Sequence, residues 1–288
     1  MCGIRKGRWN VILESTRELI RLALSEDIGR GDCTTEAIID PDQKATATVY
    51  VKQAATLAGL SLIQDVFAAL DARVRVVPLA EDGQTIAGKT AVSRLEGPAR
   101  SILTGERTAL NFLGRLTGIA TLTRLAVAQL EGTRAKLLDT RKTTPGWRVL
   151  EKYAVRMGGG HNHRFGLDDM VLIKDNHIAL CGGVAQAVSR ARAHIGLSQK
   201  IEVEVDTMEQ LVEALETSAD MILLDNMNQD QLRQAVKWTK GRVPLEASGN
   251  ISLQTIAGIA ASGVDYLSMG ALTHSAASVD VGLDIVFS

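Results

Sequence analysis

Six short apolar runs, each closed by a polar or glycine residue, constrain this fold more than any other feature. They are "KLLDT" (136–140), "MVLIK" (170–174), "KIEVEV" (200–205), "DMILLD" (220–225), "PLEASG" (244–249) and "VDYLSMG" (264–270). Runs this short fit strands better than helices. Their near-continuous apolarity fits parallel strands covered on both faces. Helical patterns lie between the later runs: "GGVAQAVSRARAHI", "MEQLVEALETS", "QDQLRQAVKWTK" and "ISLQTIAGIAASG". Strand and helix alternate at roughly 20–30-residue spacing, which is the mark of repeated βα units and a parallel sheet.

The residues that close the runs favour a barrel over an open sheet. The first run ends in Asp139 and leads into Arg141 and Lys142, and the second ends in Lys174 and Asp175. The third carries Glu204, the fourth ends in Asp225 and Asn226, the fifth in Ser248-Gly249-Asn250 and the sixth in Gly270. In a (β/α) barrel the C-terminal strand ends converge on one face, where active sites are built. A doubly wound open sheet would concentrate its site at one switch point. The expectation is an α/β fold whose catalytic part is an open, partial (β/α) barrel of about six parallel strands.

The chain before about residue 114 is less regular. "ILESTRELIRLALSED" has helical spacing, with Ile12, Leu19, Ile20, Ala23 and Leu24 on one side. "GRGDCTT" reads as a loop, "KATATVYVKQAATLAG" as strand and turn, and "SLIQDVFAALD" as a helix. "RVRVVPLAEDGQTI" reads as a strand with a hairpin-like turn, and "VSRLEGPARSILTGERTALNFLGRLTGIATLTRLAVAQL" as strand, turn and long helix. This mixture predicts an α+β domain over residues 1–116, a barrel over 117–275 and a tail over 276–288.

Composition narrows the function classes. Net charge is -1 and aromatic content 3%, so neither a strong electrostatic field nor a base-stacking platform points to nucleic acid. No run approaches the roughly 18 apolar residues of a membrane span, and "MCGIRKGRWN" has neither a signal-peptide core nor a myristoylation signal. Cys2, Cys33 and Cys181 are odd in number and form no CxxC, which fits free thiols in the cytoplasm.

The convergent set is cationic on one side, with Arg141, Lys142, His163, Arg164 and Lys174, and carries the carboxylates Glu204 and Asp225. Clustered Arg and Lys suit multiply anionic ligands. Carboxylates among them suggest Mg²⁺ or sugar hydroxyls as partners. The glycines of the last two loops match the phosphate site often found late in barrels. A phosphorylated sugar and a second anion are therefore the expected ligands. Any one of these residues alone reads equally well as a solvated loop or cap; six strand ends in register do not. A zinc site from His161, His163, His177 and Cys181 is disfavoured, because Arg164 and Lys174 would repel the cation.

Seven segments carry a resemblance to a known family: "LSEDIGRGDCTT" (24–35), "GERTALNFL" (105–113), "LLDTRKTTPGWRVLEKYAVRMGGGHNHRFGLDDMVLIKDNHI" (137–178), "EVEVD" (202–206), "ILLDN" (222–226), "EASGNI" (246–251) and "SMGALTHS" (268–275). In this order, over nearly the whole chain, they resemble quinolinate phosphoribosyltransferase (nicotinate-nucleotide pyrophosphorylase, carboxylating), the decarboxylating enzyme of de novo NAD synthesis. Trp147 departs from the smaller aliphatic expected after "TTPG", and the first ten residues match nothing.

The resemblance implies an N-terminal α+β sandwich, an open α/β barrel of type II phosphoribosyltransferases, a C-terminal tail returning to the first domain, and a cytoplasmic homodimer with shared active sites, dimers in some cases assembling into hexamers. It implies that Arg107 reaches the partner subunit's quinolinate site, and that Arg141, His163, Arg164 and Lys174 bind the quinolinate carboxylates. Lys142, Glu204 and Asp225 would carry the catalysis, facing phosphoribosyl pyrophosphate and Mg²⁺, with Glu204 and Asp225 holding the metal partly through substrate. Ser248, Gly249, Asn250 and Gly270 would hold the 5′-phosphate. A nicotinate-type transferase would need fewer ring-side cations. A related family encoded beside molybdate transporters ranks below both, and a non-catalytic phosphosugar-binding barrel would be expected to lack Glu204 or Asp225.

Overall fold

The computed structural model describes residues 14–286. Ile12, Cys2 and the rest of the N-terminal segment lie outside the described residues. The chain divides into two compact units, one formed by residues up to 121 with 144–157 and the chain from 277 onward, the other by 122–143 and 158–276.

In the first unit, helix α1 (Glu14–Ile28) buries Thr16, Ile20 and Leu24, a spacing of one helical turn. The loop expected for "GRGDCTT" gives way to a helix from its fifth residue, α2 (Cys33–Ile38). Asp32 is the reason: its carboxylate accepts the Thr35 N–H at 3.0 Å, as an N-cap does. Strands β1 (Lys44–Val51) and β2 (Ala55–Thr56), helix α3 (Leu60–Leu70), and strands β3 (Arg75–Pro78), β4 (Thr85–Ile86) and β5 (Thr90–Pro98) follow. The C-terminal strand Val281–Val286, β1, β5 and β3 form an antiparallel sheet in that order.

Two local expectations are corrected. β3 and β4 make no hairpin, because β3 pairs with β5 and β4 with β2. The intervening "LAEDGQ" is too long for a tight two-residue turn, and Leu57 N–H bonds Gln84 C=O instead. No turn separates β5 from the long helix α4 (Ala99–Ala128), which starts directly after Pro98. At Gly105, α4 crosses α3 so closely that a Cβ would fall 2.6 Å from the Phe67 ring.

Helix α5 (Arg148–Met157) lies within 117–275 by sequence yet groups with the first unit. Its fully buried Glu151 accepts the Thr144 N–H at 3.0 Å, the Thr144 hydroxyl at 2.9 Å and the Arg115 guanidinium at 2.9 Å. Tyr153 donates to Asp82 at 2.6 Å. The unexpected Trp147 stacks on buried Phe112 with centroids 4.7 Å apart.

The second unit holds β6 (Lys136–Leu138), β7 (Val171–Ile173), β8 (Ile201–Val205), β9 (Met221–Asp225), β10 (Leu245–Ser248) and β11 (Tyr266–Ser268). All pair in parallel, in the order β6-β11-β10-β9-β8-β7. These are the six runs of the sequence, and they form one open sheet whose edges are β6 and β7. At the β6 edge, His161 makes a single parallel bridge to Leu138. The connecting helices are α6 (Asp175–Cys181), α7 (Val184–His194), α8 (Met208–Leu215), α9 (Gln229–Thr239), α10 (Ile256–Ala260) and α11 (Ala271–His274). Capping boxes set two starts, Thr207 with Gln210 at α8 and Asn228 with Gln231 at α9. Because every strand runs the same way, all six C-terminal ends share one edge of the sheet.

Candidate active site

Carboxylates gather at the ends of β8 and β9. Lys174 caps α6 directly after β7, and its Nζ ion-pairs with Glu204 Oε2. Burial pushes the Glu204 carboxyl up; Lys174 opposes this, while Asp225 and Asp206 add to it. Burial and Asp206 likewise push Asp225 up, against Lys174, Lys142 and Asn226. Three carboxylates thus face two ammonium groups, and the negative charge is incompletely balanced. A divalent cation or a polyol would relieve it.

The next corner is built from unusual backbone. Asn226 and Asn250 both take left-handed conformations, φ 54° and 51°. The Asn226 side chain donates to Asp225 at 2.6 Å and accepts from Asn250 Nδ2 at 3.2 Å. Gly249, φ 95°, lies against it, and a Cβ there would fall 2.1 Å from Asn226 Oδ1. Only glycine fits this position. After β11, the Lys142 side chain and His274 Nε2 both come within 3.1–3.2 Å of where a Gly270 Cβ would stand. The Thr273 hydroxyl donates to the Lys142 carbonyl at 2.8 Å and so holds the Arg141-Lys142 loop.

The cationic end depends on the segment "HNHR". His161 N–H bonds Leu137 C=O and His161 C=O accepts from Asp139 N–H. The fully buried Asp139 carboxylate accepts Asn162 Nδ2 at 2.5 Å and His163 N–H at 2.9 Å. His163 Nε2 then reaches Glu202 at 2.9 Å and Glu246 at 3.4 Å, two carboxylates with 0% exposure. Burial opposes charge on the ring, but the two carboxylates outweigh it and raise its pKa to about 10. His163 Nδ1 lies 2.7 Å from the Arg164 N–H. That contact favours a neutral ring, yet one amide counts for less than two buried carboxylates.

Arg164 is buried and donates to Met170 C=O at 3.2 Å. Burial and the nearby Arg141 hold its pKa below the usual guanidinium value, with Glu202 and Asp169 acting the other way. Arg141 Nε is buried with no hydrogen-bond partner among the described residues. Two close guanidiniums, one with an unsatisfied buried donor, make a receptor for an anion with more than one carboxylate or phosphate.

The chain matches the family model "Quinolinate phosphoribosyl transferase, N-terminal domain" over residues 32–117 and "Quinolinate phosphoribosyl transferase, C-terminal domain" over 119–284. It belongs to the quinolinate phosphoribosyltransferase family. It is 44% identical to a Bacillus subtilis protein named probable nicotinate-nucleotide pyrophosphorylase [carboxylating], over 94% of both chains. NadC from Streptococcus pyogenes superposes with TM-score 0.89 at 43% identity, covering 94% of this chain and 96% of that one. The nicotinate-nucleotide pyrophosphorylase of Francisella tularensis gives TM-score 0.91 at 40% identity, covering 95% and 96%.

For this family member the structure brings Arg141, Lys142, Lys174, Glu204, Asp225, Ser248, Gly249, Asn250 and Gly270 onto one unit, at or just after strand ends, with His163 and Arg164 on the segment between α5 and β7 of the same unit. Arg107 is exposed on α4 and belongs to the other unit. Both His163 ring nitrogens face protein groups. The zinc grouping does not form: among the described residues the one set of potential ligand atoms within 4.8 Å is His163, Glu202 and Glu246. There His163 Nε2 already stands between the two carboxylates. Glu202 and Glu246 were missed as site-supporting residues. The signal for them was acidic residues inside buried strands, "IEVEV" and "PLEAS".

Proposed function

We propose that the chain transfers the phosphoribosyl group of phosphoribosyl pyrophosphate to the ring nitrogen of quinolinate. The products are nicotinate mononucleotide, CO₂ and pyrophosphate, a step of de novo NAD biosynthesis. The observation that carries this reading is the Arg141–Arg164 pair with its unsatisfied buried Nε, which matches two adjacent ring carboxylates. Lys174 and Arg107 belong to the same cation set, Arg107 from a second copy of the chain. His163 acts on the carboxylates through its contact with Arg164.

Chemistry at the ribose follows from the opposite corner. As pyrophosphate leaves, C1′ takes on oxocarbenium character, and Glu204 and Asp225 stabilise that charge or hold the ribose hydroxyls. Lys142 faces the departing anion, and Ser248, Gly249, Asn250 and Gly270 receive the 5′-phosphate. Mg²⁺ fits the under-compensated Glu204 and Asp225 carboxylates. When bound it would neutralise developing charge on pyrophosphate. The ring nitrogen is positive once ribosylated, so loss of CO₂ from the neighbouring carbon leaves a stabilised carbanion, which takes up one proton from the medium to give nicotinate mononucleotide, and no protein nucleophile is needed. Closing the pocket to water strengthens each ion pair.

The working assembly is a homodimer in the cytoplasm. Exposed Phe165, Leu167 and Leu180 support a covered surface near the cation site. No described helix is long and apolar enough to cross a membrane, and Cys33 and Cys181 are free. Pyrophosphate release is expected with quinolinate, only in the presence of Mg²⁺ and phosphoribosyl pyrophosphate. Release with nicotinate and none with quinolinate would move the chain to a nicotinate-type transferase.

A further inference from the structure

Two glutamates on the inner strands are used by no step above. Glu202 and Glu246 are 0% exposed; Glu202 Oε1 and both Glu246 carboxylate oxygens have no hydrogen-bond partner among the described residues, and Glu246 meets His163 as an ion-pair contact at 3.4 Å. Burying carboxylates in this way is unfavourable, and an apolar pair would pack at lower cost. Stability therefore does not explain them.

Their geometry does. The two side chains come from strands that are not neighbours, β8 and β10, and meet at a single atom, His163 Nε2. His163 is the third residue of a strap that is also fastened at His161, by the bridge to β6, and at Asn162 and the His163 N–H, by Asp139. The next residue is Arg164, whose backbone N–H faces His163 Nδ1. The ring is thus held between two buried carboxylates on one side and the Arg164 backbone on the other.

We infer that Glu202 and Glu246 are positioning residues for the dicarboxylate pocket: acting through His163, they fix the placement of Arg164 without touching substrate. The inference rests on the function proposed above. A strap free to swing would leave Arg164 beside Arg141 without a set geometry, and two guanidiniums recognise two carboxylates only when their forks are aligned. The phosphoribosyl residues Glu204 and Ser248 share β8 and β10 with these glutamates, but Glu204 pairs with Lys174 and not with the strap, so the phosphoribosyl KM should respond far less.

The test is steady-state kinetics of the full-length Glu202→Gln and Glu246→Gln proteins, with each substrate varied in turn, and of His163→Gln alone and combined with Glu202→Gln. Glu202→Gln should raise KM for quinolinate roughly tenfold, the scale of one coupled contact, while KM for phosphoribosyl pyrophosphate stays within about twofold. In the His163→Gln background the same substitution should add little. If Glu202→Gln does not fold, Glu246→Gln reads the same quantity. Equal rises in both KM values, an unchanged quinolinate KM in a folded variant, or full additivity with His163→Gln would overturn the inference. Wild-type protein that turns over no quinolinate would instead remove the functional reading on which it rests.

Discussion

Arg141 brings a buried guanidinium nitrogen without a hydrogen-bond partner among the described residues to a position beside a second arginine. Replacing it with alanine removes one fork of the receptor and leaves Arg164 alone to meet two carboxylates. Arg141→Ala should raise KM for quinolinate by about a hundredfold, the cost of truncating a buried charge pair. Arg141→Lys should rescue little of this, because an ammonium cannot present a fork. Titration calorimetry checks the binding directly, and unchanged quinolinate affinity would remove Arg141 from the site. At this scale the sequence was informative where polar residues close apolar strands, as at Asp139, Lys174, Glu204 and Asp225. It was silent where a residue acts from inside a strand. Glu202 looks like one more acidic residue near Glu204 until β8 is seen to carry it to a fully buried position under His163.

At the scale of elements, the strap from His161 to Arg164 is the segment on which the cation site depends. The His163 pKa is raised from 6.5 to about 10 by its two carboxylates, in spite of burial. A raised basic pKa contributes stability that is fully present below the unfolded value and is lost as pH climbs through the folded one. Glu202, pushed up by burial and by Glu246, works in the same direction, since a carboxyl that favours its proton when folded also loses stability as pH rises. His163→Gln should therefore lower the melting temperature most near pH 6, where losing one partner of a buried pair costs about 3–5 kcal/mol, and progressively less toward pH 10. Thermal melts across that range check this, and a deficit independent of pH would contradict it. The barrel strands were legible because parallel strands buried on both faces leave unbroken apolar runs. The small first-unit strands were less so: β2 and β4 are two residues each and pair with one another across a long sequence gap, which no local pattern encodes.

The whole molecule divides the proposed chemistry between two units, with Arg107 on the first and the other named site residues on the second. If a partner's Arg107 completes each pocket, Arg107→Ala and Lys142→Ala are defective in different halves of one shared site. Each should be nearly inactive alone. Mixed and re-equilibrated, they should recover about a quarter of wild-type activity, since random pairing of a two-fold dimer gives mixed dimers with one intact site. No recovery, with mixed dimers shown to form, would place Arg107 outside the site. The parallel sheet could be inferred from sequence, but the grouping of 144–157 with the first unit could not. It depends on Glu151 pairing with Arg115, on Tyr153 donating to Asp82 and on Trp147 stacking over Phe112, contacts made after the chain has left and returned.

In the proposed reaction one pocket joins a dicarboxylate ring to a phosphoribosyl group and then releases one of the two carboxyls. The most direct measurement follows quinolinate labelled in the carboxyl adjacent to the ring nitrogen, counting labelled CO₂ against pyrophosphate in the same reaction. Equal amounts of the two are expected, with a product of the mass of nicotinate mononucleotide. Pyrophosphate released with the label still on the ring would contradict the proposed reaction.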